Sequence, residues 1–185
     1  MKKTTCTTLM LALCISTTCL AQSLPSKREL RKQQKELKQN TLDSLLTAAI
    51  ANQNFTFKAD YITQEYTGKL PIKGANNLIF VTPENLRVLL PYYSTTQSRQ
   101  HTPLLIDFDT NEFSYTYQTT RKGMFKVKII ADNVQNNQSN AKMQSGRYII
   151  ELEISPKTGN TYVMITPNFS ANITYTGVCS VNRAF

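Results

Sequence analysis

Residues 125–131, FKVKIIA, alternate apolar and polar side chains, and this alternation decides the class of fold. Apolar side chains fall on one side of the segment, whereas Lys126 and Lys128 fall on the other. Successive side chains of a β-strand point to opposite faces, so the segment predicts a strand with one face toward a core and one toward water. Residues 148–154, YIIELEI, repeat the pattern with glutamates on the polar side.

The same two-residue period recurs along the chain after residue 54, in segments separated by turn-forming residues. Further segments with this period are 55–61, 78–80, 86–90, 113–117, 162–166 and 173–178. The turn signals are Thr82–Asn85, Arg121–Gly123 and Ser155–Asn160. We therefore expect a mainly β domain of about seven to ten short antiparallel strands, forming a curled sheet or a closed barrel. In the first segment, Tyr61 is expected to share the buried face with Phe55 and Phe57.

Helical segments are predicted ahead of the strands. Ser26 and Glu29 have the spacing of a capping box, which predicts a helix start at this point. Residues 22–40 are then mostly charged or Gln, so this basic lead-in has little to bury and is expected to be helical or flexible. Residues 41–51 carry an apolar face that should pack on the β domain. The members of this face are Leu42, Leu45, Leu46, Ala49 and Ile50.

Residues 1–21 have the parts of a secretory signal peptide. Lys2 and Lys3 form a short positive start, residues 9–21 are mostly apolar, and the segment ends on small-x-small residues. An uncleaved membrane anchor is one alternative, but a span needs roughly 20 apolar residues. Lipidation at Cys19 is another, although the residues before it fit a lipoprotein signal poorly. We expect a cleaved signal and an exported protein, periplasmic or associated with the cell envelope.

These patterns divide the chain into a signal peptide at 1–21, a basic lead-in at 22–40 and a β domain with its leading helix at 41–185. The formal net charge of the chain is +9. Residues 27–38 alone hold six basic and two acidic side chains. Because the basicity is local, the composition argues against nucleic-acid binding. Residues 27–38 are expected either to contact a membrane surface or envelope glycans, or to be a solvated spacer.

Few residues offer catalytic or metal-binding chemistry. His101 is the single histidine and lies in a polar segment expected to be a loop. Cys179 is the only cysteine after the signal peptide, and we expect it to be a buried, unreactive side chain. Residues 107–112, DFDTNE, start like an EF-hand loop but carry Glu112 where that loop requires glycine. We interpret this segment as a turn between strands, and we expect no enzyme activity, no metal and no cofactor.

The tyrosines are the remaining candidates for a binding site. Aromatic walls inside a barrel can hold an apolar ligand. The ligand-binding candidates are Tyr92, Tyr93, Tyr115, Tyr117 and Tyr148. The competing interpretation is that these rings fill the core.

The order of several segments resembles a known family. An apolar helix runs into NFTFKA at 54–59, NLRVLLPYY follows at 85–93, and ITYTG stands at 173–177. Together with the signal ending in Ala-Gln and the Lys/Arg-rich lead-in, this order resembles the exported Bacteroides-type family called domain of unknown function 4251 (DUF4251), over roughly Leu42 to Val178. The resemblance implies a lipocalin-like or related curled β-barrel with a flanking helix. It implies no activity and no catalytic residue.

One departure from that family concerns the residues after Leu-Pro-Tyr. Family members usually continue with a stretch that contains Gly and aromatic residues, whereas this chain has STTQ at 94–97. If this loop shapes the mouth of a pocket, the ligand preference of this member differs from that of its relatives.

Two functions are compatible with these observations. The first is a non-catalytic small-molecule or lipid-binding protein of the cell envelope with an aromatic-lined cavity. The alternative is a protein or glycan interaction module of the envelope with a solid core and an exposed apolar patch, for which residues 89–93 are the candidate. The sequence leaves the ligand, the protein partner and the oligomeric state open.

Overall fold

The computed structural model describes residues 26–64, 68–74, 77–93, 103–135, 137, 146–168 and 171–182. The helix is α1 (Lys27–Ala51), and the strands are β1 (Phe55–Gln64), β2 (Gly68–Pro71), β3 (Leu78–Val81), β4 (Leu86–Tyr93), β5 (Pro103–Thr110), β6 (Phe113–Thr119), β7 (Phe125–Val134), β8 (Gly146–Ile154), β9 (Asn160–Pro167) and β10 (Ile173–Val181). The proposed signal peptide, the STTQ segment at 94–97 and His101 lie outside the described residues.

The strands form one antiparallel sheet in the order β5-β4-β3-β1-β10-β9-β8-β7-β6, and β2 pairs with β1 beside β3. The pairing of β1 with β10 joins the start and the end of the domain. The prediction of a mainly β, curled antiparallel sheet with an N-terminal helix packed on it is confirmed. The hairpin signals are confirmed too, since Thr82 N–H donates to Asn85 O and Ser155 N–H to Asn160 O.

The core lies on the inner face of the curled sheet. The largest side chains without accessible surface are Tyr148, Tyr175, Phe55, Phe57 and Phe108. A side chain that lined a cavity large enough for water would keep accessible surface, so no cavity of that size borders these five rings. Tyr175 also satisfies its hydroxyl there, because that group donates to Pro91 O at 2.7 Å.

Strands β5 and β6 behave as two halves of one bent strand. Phe113 pairs with Ala131, and Asp107, six residues earlier, accepts a hydrogen bond from Asn137 N–H, six residues later, at 2.8 Å. The chain that follows β7 therefore reaches the outer edge of β5 beyond the turn at residues 111–112. One half of the bent strand pairs with β4 and the other with β7, so the sheet curls toward itself without a closed ladder.

Strand β1 contains a bulge that the sequence pattern did not reveal. Ala59 pairs with Gly177 and Tyr61 pairs with Thr176, which leaves Asp60 as the extra residue. The expectation that Tyr61 faces the core is therefore wrong: its side chain is exposed, and Ile62 is buried instead. Asn77 supports the bulge, because its side-chain amide donates to Ala59 O and its own carbonyl oxygen accepts from Ala59 N–H.

The basic lead-in and the predicted docking helix form a single helix, α1. It starts with the predicted capping box, in which Ser26 N–H donates to the Glu29 carboxylate and Glu29 N–H donates to Ser26 Oγ. Its buried residues are Leu46, Ala49 and Ile50. Leu42 and Leu45 were expected to dock as well but are exposed, because the helix meets the sheet only through its C-terminal turns. Within the described chain, α1 is too polar to span a bilayer.

Gly177 should tolerate no side chain, because a Cβ at this position would lie 2.0 Å from Lys58 O and 2.9 Å from Ala59 Cα. We expect Gly177→Ala to lower the free energy of unfolding by about 2–3 kcal/mol, since the bulge must move to admit the methyl group. Urea unfolding measures the change. Ser180→Ala, at an exposed position of the same strand, is the control and should stay within about 0.5 kcal/mol. Equal stability of the two variants would contradict the close approach.

Candidate functional site

The residues considered for chemistry are held in structural roles wherever the structure describes them. Cys179 is almost fully buried, and burial raises the pKa of its thiol to about 12, so the nucleophilic thiolate does not form at neutral pH. The prediction that Cys179 is a buried side chain is confirmed. Asp107 and Asp109 are part of β5 rather than of a turn, and Arg87 contacts them at 2.7 Å and 4.0 Å. No group of three metal-ligating side chains comes together among the described residues.

The five tyrosines proposed as ligand contacts do not line one common pocket. Tyr148 has no accessible surface, and its ring centroid lies 4.8 Å from that of Phe108. Tyr92 is buried, and Tyr93 is half-buried, both at the end of β4. Residues 89–93 were expected to form an exposed patch, but they are a strand whose inner face belongs to the core.

Tyr115 and Tyr117 lie on β6, at the open side of the sheet. The Tyr115 hydroxyl donates to Ile50 O at 2.8 Å and so ties β6 to the end of α1. Burial raises the pKa of Tyr115 well above its ordinary value, so the hydroxyl remains a donor. Tyr117 is 46% exposed. These two rings belong to an aromatic row in which neighbouring centroids are 6.3–6.4 Å apart, in the order Phe55, Tyr115, Tyr117 and Phe125.

Strand β6 ends the sheet on one side and has the sequence FSYTYQT, which contains no charge and no proline. Within the described part of the chain, its only strand partner is β7. Side chains from Thr116 to Thr119 are all exposed. Natural sheets protect such an edge with charges, prolines, bulges or a covering segment, and β6 carries none of the sequence devices.

The hairpin between β6 and β7 fixes which backbone groups of β6 face outward. Thr120 N–H donates to Met124 O at 2.8 Å, and Gly123 adopts a φ of 73° in the turn. Bonded and non-bonded residue pairs alternate along an antiparallel ladder, so the even-numbered residues of β6 bond to β7. The N–H and C=O groups of the odd-numbered residues point away from the sheet. Those residues are Phe113, Tyr115, Tyr117 and Thr119.

The other terminal strand, β5, is protected. Its Asp107 carbonyl accepts the Asn137 N–H, and the Asn137 side-chain amide lies 3.4 Å from the Asp107 carboxylate. Two aspartates in β5 and their contacts with Arg87 place charge along this strand. The contrast singles out β6 as the terminal strand that the described fold leaves open.

The outer face of the sheet beside β6 holds a groove of about 460 Å³. Thr116 and Gln118 line its β6 side. The rest is lined by two cross-strand ion pairs, Lys126–Glu153 at 2.8 Å and Lys128–Glu151 at 3.1 Å, together with Tyr117, Val127 and Leu152. The β6 edge is therefore flanked by an aromatic row on the inner side and by a polar groove on the outer side.

Sequence reasoning selected Tyr115 and Tyr117 but assigned them to the wall of a cavity. It missed the backbone edge of β6 and the outward N–H of Thr119. A signal was present, since residues 113–119 form a seven-residue alternating segment without charge or proline. What the segment lacked was any indication of which strand would pair with it on each side.

Comparison with known proteins agrees with the expected resemblance. The family model described as a domain of unknown function, DUF4251, matches residues 33–179. The crystal structure of a DUF4251 family protein from Bacteroides eggerthii DSM 20697 is similar, with a TM-score of 0.55 and 16% identity, over 76% of this chain and 88% of that chain. At this identity the likeness concerns the fold alone. A search of curated proteins found no match.

Tyr115→Phe should lower the free energy of unfolding by about 1 kcal/mol, because it removes the side-chain donor to Ile50 O, which then keeps only the Gln53 N–H at 3.2 Å. Tyr117→Phe is the matched control and should stay within about 0.5 kcal/mol. The folded-state pKa of Tyr115 is raised, so the contribution of its hydroxyl is complete below the ordinary pKa of 10.0 and is lost as the pH rises above it. Chemical denaturation at neutral pH measures both variants, and equal effects would contradict the role of the Tyr115 hydroxyl.

Proposed function

The chain belongs to the DUF4251 family, and we propose that it is a non-catalytic binding module of the cell envelope whose partner protein adds an extended segment to the free edge of β6. The observation that carries the proposal is the uncharged, seven-residue edge with the outward N–H groups of Phe113, Tyr115, Tyr117 and Thr119. Addition of a strand to an exposed sheet edge is a common mode of peptide recognition.

The surroundings of the β6 edge suit an extended peptide on both faces of the sheet. Main-chain hydrogen bonds to the outward groups of β6 would supply affinity, and alternate side chains of the peptide would supply specificity. Side chains on one face would meet the aromatic row around Tyr115 and Tyr117. Those on the other face would meet the groove lined by Thr116, Gln118 and the lysine–glutamate pairs.

The interior supports an interaction module more than a carrier of small molecules or lipids. Tyr148 and Tyr175 are packed without accessible surface, where a ligand cavity would require exposed walls. Tyr117, in contrast, is nearly half exposed to solvent. A binding site on the edge strand therefore agrees with the surface that the described fold leaves available.

Two further observations support the absence of catalysis and the export of the chain. The Cys179 thiol is protonated and buried, and the described carboxylates of β5 are paired with Arg87. The charge, apolar run and small-x-small end of residues 1–21 are those of a secretory signal. An exported module with an open strand edge would meet its partner in the periplasm or at the envelope.

Thr119→Pro tests the proposal, because it removes an outward N–H without removing a hydrogen bond to β7. Wild type and variants are purified gently from their own envelope, and native mass spectrometry records what co-purifies. We expect a protein partner with the wild type and at least a tenfold loss of it with Thr119→Pro, since strand addition depends on main-chain donors.

Thr119→Ala is the matched control, since it shortens the same exposed side chain but keeps the N–H. It should retain the partner. Thermal unfolding of both variants shows that each remains folded. A partner protein captured equally by Thr119→Pro, or a small molecule co-purifying in place of a protein, would overturn the proposal.

A further inference from the structure

We infer that β6 pairs with β6 of a second copy of this chain when no other partner occupies the edge, in an antiparallel arrangement centred on Thr116. The inference rests on the proposed use of the β6 edge for strand addition and names one partner for it. It follows from three properties of the strand: the phase of its outward groups, the identity of the facing side chains and the absence of charge.

The phase of the outward groups matches a two-fold axis through Thr116. Such an axis places Tyr115 opposite the Tyr117 of the second copy, and Phe113 opposite its Thr119. All of these residues direct their N–H and C=O groups away from β7, so each pair can exchange two main-chain hydrogen bonds. The backbone groups of Thr116 bond to β7 and so point away from the second copy. At the axis, Thr116 would therefore form a non-hydrogen-bonded pair with its own copy, as the alternation of pairs along an antiparallel ladder requires. An axis centred on an odd-numbered residue would also align outward groups, but it would leave part of the seven-residue strand unpaired.

The facing side chains complement each other about the same axis. On the inner face, the Tyr115 and Tyr117 rings of the two copies come together and extend the aromatic row. On the outer face, Thr116 meets Thr116, and Ser114 meets Gln118. Aromatic pairs and threonine pairs are favourable across antiparallel strands. Every residue of β6 takes part, and none meets a residue of a conflicting type.

Charge distinguishes this edge from the rest of the molecule. In a two-fold contact, a residue close to the axis meets its own copy, so a charged residue at that place would face a like charge. Strand β6 carries no charged residue, whereas β5 carries Asp107 and Asp109. A two-fold contact uses the same surface on both copies and therefore closes after two chains, which protects the edge from open-ended association.

Thr116→Cys tests the arrangement directly. Residues that face each other at a non-hydrogen-bonded position have Cα atoms about 4.5 Å apart, within the range of about 4.4–6.8 Å that a disulfide requires. The only other cysteine after residue 21 is the buried Cys179. Under mild oxidation we expect Thr116→Cys to form a disulfide-linked dimer that dithiothreitol reverses, with most of the chain cross-linked at high micromolar concentration.

Ser114→Cys is the matched control, since it lies on the same exposed outer face of β6. In the proposed arrangement, the two copies of residue 114 are at least roughly 13 Å apart, beyond the reach of a disulfide. We expect at least tenfold slower cross-linking of Ser114→Cys than of Thr116→Cys. Adding Thr119→Pro to Thr116→Cys should reduce cross-linking to the rate of the Ser114→Cys control.

Equal cross-linking of the two cysteine variants would overturn the inference, because it would indicate random collision. A monomer by sedimentation velocity at high micromolar wild-type concentration would overturn it too. If the chain is monomeric but Thr119→Pro still abolishes capture of an envelope protein, only the self-pairing fails. If the dimer forms as expected but capture is insensitive to Thr119→Pro, only the proposed function fails.

Discussion

On the outer edges of the two terminal strands of an open sheet, the backbone N–H and C=O groups have no partner within the sheet. The rest of this structure depends on whether another segment of the chain bonds to these groups. The sheet curls until β5 meets the extension of β7, where Asn137 N–H reaches Asp107 O at 2.8 Å. That contact covers part of the outer edge of β5. The bend at residues 111–112 then leaves β6 with β7 on one edge and no strand on the other among the described residues.

The same curl explains why the interior offers little to a ligand. As the sheet folds toward itself, its inner face meets the last turns of α1, and the Tyr115 hydroxyl fixes that helix by donating a hydrogen bond to Ile50 O. Large rings such as Tyr148 and Phe108 fill the space between opposite parts of the sheet. The proposed binding surface therefore lies on the edge and outer face, where Tyr117, Thr119 and the groove beside them are exposed.

Features encoded over short distances in sequence could be predicted from it. The alternation in FKVKIIA, the capping box of Ser26 with Glu29 and the burial of Cys179 are confirmed, since each depends on local spacing or on a single apolar side chain. The bulge at Asp60 was missed because it depends on Gly177, more than a hundred residues away in sequence. The identity of the open edge was missed for the same reason, since residues 113–119 do not encode which strand lies beside them.

Two of the tyrosines also show that the sequence pattern does not reveal where a strand lies in the sheet. Tyr148 and Tyr117 both stand in alternating segments, yet one is sealed in the core and the other is nearly half exposed. Their patterns are equivalent, and only the position of their strands in the sheet separates them. Strand β8 has neighbours on both edges, whereas β6 has a strand on only one edge in the described part of the chain.

Amide hydrogen exchange along β6, resolved residue by residue, tests the central claim most directly, first in the dilute free chain and then in the isolated complex. The account predicts fast exchange at Phe113, Tyr115, Tyr117 and Thr119 in the free chain and slow exchange at the even-numbered residues between them, with the fast set becoming protected in the complex. Uniform protection along the free strand, or protection gained only in the core strands on binding, would contradict it.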